Sequence, residues 1–115
     1  MGYYAHGYGV VKTKESVVGK EFEKAIWKLN DDLGLSIDDV SLFKEEYHVT
    51  VGNEKYHDED WKETLKAISK LISEGEFEFT GEDEESWKFK FYPEEGVWKE
   101  MMGEIVYNEE TATEI

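Results

Sequence analysis

Two hydrophobic spacings divide the chain. From Ser16 to Leu33, the residues Val18, Phe22, Ala25, Ile26, Leu29 and Leu33 form the stripe of an amphipathic helix. Ser16 offers a capping hydroxyl at its start and Gly34 a stop. A second stripe, Trp61, Leu65, Ile68, Leu71 and Ile72, predicts a helix over Asp58–Glu74, capped by Asp58 and stopped at Gly75. Beyond Gly75 the spacing switches from 3.6 to 2. Phe77 and Phe79 alternate with Glu76 and Glu78, and Trp87, Phe89 and Phe91 alternate with Lys88 and Lys90.

Further strands are predicted over Tyr3–Lys14, Val40–Phe43, Tyr47–Val51 and Val97–Tyr107. Gly7 and Gly9 inside the first mark a bulge or a close backbone approach. The order β-α-β-β-α-β-β-β predicts an α+β two-layer sandwich, with two amphipathic helices on one face of a mostly antiparallel sheet. Its first six elements match a ferredoxin-like order followed by a C-terminal hairpin. A simple four-stranded C-terminal meander is the competing topology. Residues 1–107 read as one domain and 108–115 as an acidic flexible tail.

In this arrangement the alternating rings point beneath the helices, and Glu76, Glu78, Lys88 and Lys90 point to solvent. The turns add Glu82, Asp83, Glu84, Glu85, Glu94 and Glu95 with no neighbouring base in sequence. The chain holds 28 acids against 13 bases, a net charge of −15, and every base is lysine. Residues 1–57 carry ten acids and seven lysines, and residues 58–115 eighteen acids and six lysines. The surplus therefore concentrates in the second half, as expected of a chain that presents one acidic face.

This balance argues against direct binding to nucleic acid or an anionic membrane surface, and the lack of arginine removes the bidentate fork that reads phosphate and guanine. No apolar run is long enough to span a membrane or serve as a secretory signal, so a cytoplasmic location is expected. There are no cysteines, hence no disulfides, thiolate metal sites or cysteine nucleophiles.

Local motifs give little catalytic chemistry. His48-Val49-Thr50-Val51 resembles half the signature of 2H phosphoesterases, in which histidine moves a proton and threonine holds a phosphate. Neither His6 nor His57 supplies the second motif. Asp58, Glu59 and Asp60 suit the first turn of a helix better than a metal. Gly81–Ser86 lacks the spaced ligands of a calcium loop. No catalytic residue, metal or cofactor is expected.

In its acidity and size the chain resembles small acidic phage and mobile-element proteins of low-GC Gram-positive bacteria, of the DNA-mimic anti-CRISPR and anti-restriction type. The stretch Glu76–Asn108 carries the local part of that likeness. The resemblance implies a non-enzymatic inhibitor that occupies a basic, nucleic-acid-binding surface of a partner protein. Glu76, Glu78, Glu82, Asp83, Glu84, Glu85, Glu94 and Glu95 would then make the contact. Tyr3, Tyr4 and Tyr8 form a possible secondary contact. The alternative is a small homodimer or ligand-binding module that pairs edge strands through Gly2–Val11, with acids for solubility alone. A hydrolase around His48 is the weaker alternative.

Overall fold

The computed structural model describes residues 3–17, 20–103 and 112–115, without the side chains of Tyr3, Asn53 and Glu54. The chain runs through β1 (Tyr3–Thr13), α1 (Glu21–Leu33), β2 (Ile37–Phe43), β3 (Glu46–Tyr56) and α2 (Asp58–Ile68). A 3₁₀ turn, Ser69–Leu71, leads into β4 (Ile72–Gly81), β5 (Ser86–Tyr92), β6 (Val97–Gly103) and β7 (Thr113–Glu114). The strands form one sheet in the order β2-β3-β1-β4-β5-β6-β7, with every neighbouring pair antiparallel.

β3 lies between the parallel strands β1 and β2, and β1 between the parallel strands β3 and β4. This is the split β-α-β arrangement of the ferredoxin-like order. β4 then continues as the first strand of a β4-β5-β6 meander. The two expected topologies are thus both present, joined through β4.

One face of the sheet is covered. Trp61 of α2 packs on Phe77 and Phe79 at ring separations of 5.4 and 5.1 Å, and Phe22 of α1 packs on Tyr47 at 4.9 Å. The expected alternation holds, because Phe77, Phe79, Trp87, Phe89 and Phe91 are all buried while Glu76 and Glu78 are exposed. Each interior indole that reaches a polar atom donates to it. Trp87 Nε1 donates to the Tyr56 hydroxyl at 3.1 Å, and Trp98 Nε1 to Ser69 Oγ at 3.1 Å.

Gly7 and Gly9 exist for close approach. They sit opposite Phe79 and Phe77 on the covered face, and an added Cβ would lie 2.4 and 2.3 Å from those rings. The register also shifts between Ala5 and Gly7. Both readings of the glycines, bulge and close approach, describe this strand.

Several boundaries differ from expectation. α1 begins at Glu21, with Lys20 at the cap position, while Ser16 lies in the turn closed by Val17 N–H to Lys14 O at 3.0 Å. Val18 lies outside the described residues. Gly34 does end α1, at φ 67°, its N–H reaching Asn30 O. His57, not Asp58, occupies the cap position of α2, and Asp58 instead pairs with Lys62 at 2.7 Å.

The second helix stops at Ile68 rather than Glu74, and Gly75 is not its terminator. Ser69 Oγ donates to Leu65 O, and the chain tightens into the 3₁₀ turn before turning extended at Ile72. A register shift between Lys12 and Thr13 lets Ile72 and Gly75 both face the core. A Cβ at Gly75 would lie 2.8 Å from Trp98, so this glycine makes room for an indole.

Asn108–Thr111 of the expected tail lies outside the described residues. Its end is docked, not free: Thr113 and Glu114 pair with Glu100 and Lys99, and Ile115 packs against the core.

Candidate functional site

The opposite face of the sheet carries no described helix, and its side chains follow from register. One row crosses the strands as Ser41, His48, Val10, Glu76, Lys90, Lys99 and Glu114. The next crosses as Asp39, Thr50, Tyr8, Glu78 and Lys88. Carboxylates and ammonium groups stand side by side in these rows. Glu76 Oε1 lies 3.0 Å from Lys88 Nζ, and Glu74 Oε2 lies 3.5 Å from Lys12 Nζ. The sheet acids Glu76 and Glu78 are therefore exposed, as expected, yet they stand among lysines.

The turn acids differ. Glu82, Asp83 and Glu84 form the loop between β4 and β5, closed by Glu84 N–H to Gly81 O at 3.1 Å and Gly81 N–H to Glu85 O at 2.8 Å. Glu84 has φ 63°, the left-handed residue that completes a three-residue hairpin loop. Glu82 N–H also donates to Tyr4 O at 2.9 Å, tying the turn to β1. Four consecutive exposed carboxylates, Glu82–Glu85, are thus held on a fixed backbone, and none joins a described ion pair.

Glu94 and Glu95 sit in the β5–β6 turn at the other end of the hairpin, about 20 Å of strand away. Glu95 pairs with Lys99 at 3.1 Å. The structure gathers Glu82–Glu85 and does not bring Glu94 and Glu95 to them.

The N-terminal tyrosines are placed differently from either edge-strand reading. β1 is paired on both sides, so no second copy can add to it. A homodimer built by edge pairing through Gly2–Val11 is excluded for this reason. Tyr4 and Tyr8 instead project onto the helix-free face, and the Tyr3 side chain lies outside the described residues.

His48 sits on the same face, two residues from Thr50. Its Nδ1 is hydrogen-bonded to the Tyr8 hydroxyl, and its Nε2 is buried without a described hydrogen-bond partner. His6 stands opposite Thr80, two rows beyond the row of His48. No pair of histidines faces one substrate atom, and one ring nitrogen is engaged while the other is occluded. No group of three or more potential metal ligands is present among the described residues.

Sequence reasoning missed a cleft of about 510 Å³ on this face. Val10 floors it, Glu46, Glu74 and Glu76 line it together with Lys12 and Lys90, and the Tyr92–Glu95 turn forms one wall. Lys90 and Lys99 lie over the Tyr92 ring, 5.4 and 4.8 Å from its centroid. These residues come from four strands, and no local pattern groups them before the register is known.

Another network lies on the covered side. Tyr56 is largely buried; its hydroxyl donates to Asp58 Oδ1 at 3.2 Å, and burial holds the phenol well above its ordinary pKa. Glu100 faces inward beside Asp58 and Lys62. Burial first, then the Asp58 charge, raises its pKa, although Lys62 at 3.9 Å pulls the other way. Lys62 is itself raised, chiefly by its hydrogen bond to Asp58.

No protein-family model matches the chain, and no curated protein or solved structure is significantly similar to it. No helix among the described residues is long and apolar enough to cross a membrane.

Proposed function

We propose that this chain is a non-enzymatic acidic binding protein that occupies a basic, nucleic-acid-binding surface of a partner protein. The observation that carries the reading is the Glu82–Glu85 turn, where four exposed carboxylates stand on a backbone closed by hydrogen bonds. Carboxylates on a fixed backbone meet lysines and arginines without first losing loop entropy, and complementary charge speeds association. Glu94 adds a further exposed acid at the far end of β5. Glu76 and Glu78, being interleaved with lysines, contribute less than the turn.

The test starts with a partner captured from host lysate at low salt. Changing Glu82, Asp83, Glu84 and Glu85 to their amides removes four charges and keeps side-chain size. Affinity for that partner should fall roughly tenfold or more, mainly through slower association, and duplex DNA should compete with the wild-type complex. Amide changes at Glu21, Asp31, Glu59 and Glu63, four exposed acids on the two helices, should do much less. Equal losses from both sets would mean that net charge alone matters, and the reading would fail.

A further inference from the structure

We infer that the helix-free face of the sheet, beside the acidic turn, is a docking surface for a protein segment in which lysine or arginine flanks an apolar side chain. Three rings form a row across β2, β3 and β1. His48 lies between Phe43 and Tyr8, with ring separations of 6.4 and 5.8 Å. Phe43 and Tyr8 are 61% and 48% exposed, far more than rings on the covered face. Solvated aromatic area beside polar residues is the usual composition of an interface centre.

The surroundings name the occupant. Phe43 stands directly opposite Glu46, and His48 opposite Val10. Glu46 and Val10 both line the 510 Å³ cleft, so the aromatic row opens into it. Five carboxylates line that cleft; Glu74, Glu76 and Glu95 pair with Lys12, Lys88 and Lys99, while Glu46 and Glu94 join no described ion pair and are left to meet a basic ligand. An apolar side chain on the rings leaves its basic neighbours facing this carboxylate excess. A nucleic acid would meet the same carboxylates with its phosphates, and a second copy would bring its own net charge of −15. A basic protein segment satisfies both the rings and the charge.

This inference rests on the basic-partner reading but predicts an apolar component that charge alone does not supply. The probes are two octapeptides, each of six lysines, one with a central leucine pair and the other with a central serine pair. The leucine peptide should bind about tenfold more tightly, since burying one such side chain is of that order. It should also shift the NMR signals of the Tyr8, Phe43 and His48 rings. Phe43→Ser and Tyr8→Ser, both at exposed positions, should remove the leucine advantage while thermal melts confirm folding.

Equal binding of the two peptides by the wild type would overturn this inference and leave the electrostatic reading standing. Failure of both peptides to bind would overturn both. A leucine advantage that survives both substitutions would place the apolar contact elsewhere and overturn the docking surface. Self-association abolished by Phe43→Ser, or ring shifts produced by a DNA oligonucleotide, would assign the face to those occupants instead.

Discussion

The two faces of the sheet carry the same strands and obey opposite rules. On the covered face, Phe77, Phe79 and Phe89 are fully buried, and glycines are used where a ring needs the space of a missing Cβ. On the helix-free face, glutamates and lysines stand side by side at partly or fully exposed positions, with the Phe43–His48–Tyr8 row among them and Met101, opposite Lys88, as a buried exception. One face is set by shape and the other by charge. Stability should therefore reside in the first and recognition in the second.

The sharpest way to break this division is Trp87→Ala. Trp87 is 5% exposed, and its removal leaves a cavity between Tyr56 and Phe79 and a Tyr56 hydroxyl without its indole donor. A loss of about 3–5 kcal/mol is expected in chemical denaturation. A loss below about 1 kcal/mol would show that the covered face tolerates vacancies and that the contrast is wrong.

An intermediate effect is expected where charge enters the covered side. The Glu100 carboxyl has a folded pKa raised by burial and by Asp58. Such a group stabilises the fold fully below its unfolded value, about 4.3, and that contribution is lost as pH rises through the raised folded value. Its contribution should therefore be larger at pH 5 than at pH 8. Glu100→Gln, which resembles the protonated form, should make the difference in melting temperature between those two pH values more positive towards pH 8. An unchanged difference would show that Glu100 titrates as in the unfolded chain.

The smallest effect belongs to the helix-free face. Glu76→Gln removes an exposed partner of Lys88 and should change stability by no more than about 0.5 kcal/mol. A cost comparable to that of Trp87→Ala would make the charged rows a structural element in their own right.

What was readable in the sequence follows from the same contrast. Phe77, Phe79, Trp87, Phe89 and Phe91 announce their face by spacing alone, because burial on one side of a strand imposes period 2. The end of α2 was not readable. Leu71 and Ile72 continue the helical stripe, and Gly75 resembles a terminator until Trp98 is found above it. The β2–β3 turn was located, but not its form. Lys44 and Glu45 both adopt positive φ, 49° and 70°, without the asparagine or glycine that signals such a two-residue turn. Nor can any local pattern tell that β1 is central, since that depends on which distant strands flank it. The same holds for the cleft, whose walls share no stretch of sequence. The Glu82–Glu85 turn, by contrast, was legible residue by residue, because a hairpin loop is a local structure.

The central position of β1 also sets a timetable. Ala5 pairs with Gly81, 76 positions later, so β1 is bordered on one side by a strand made much later. At ~5–20 residues per second of synthesis, that gap is roughly 4–15 s. For that interval the chain carries a glycine- and tyrosine-bearing strand with an unsatisfied edge, the kind of segment that seeds aggregation. Pairings this distant also slow folding once the chain is complete. More than half of the net negative charge lies beyond Gly81, so mutual repulsion between chains is weak while that edge is open and reaches its full strength only once β4 is there to cover it.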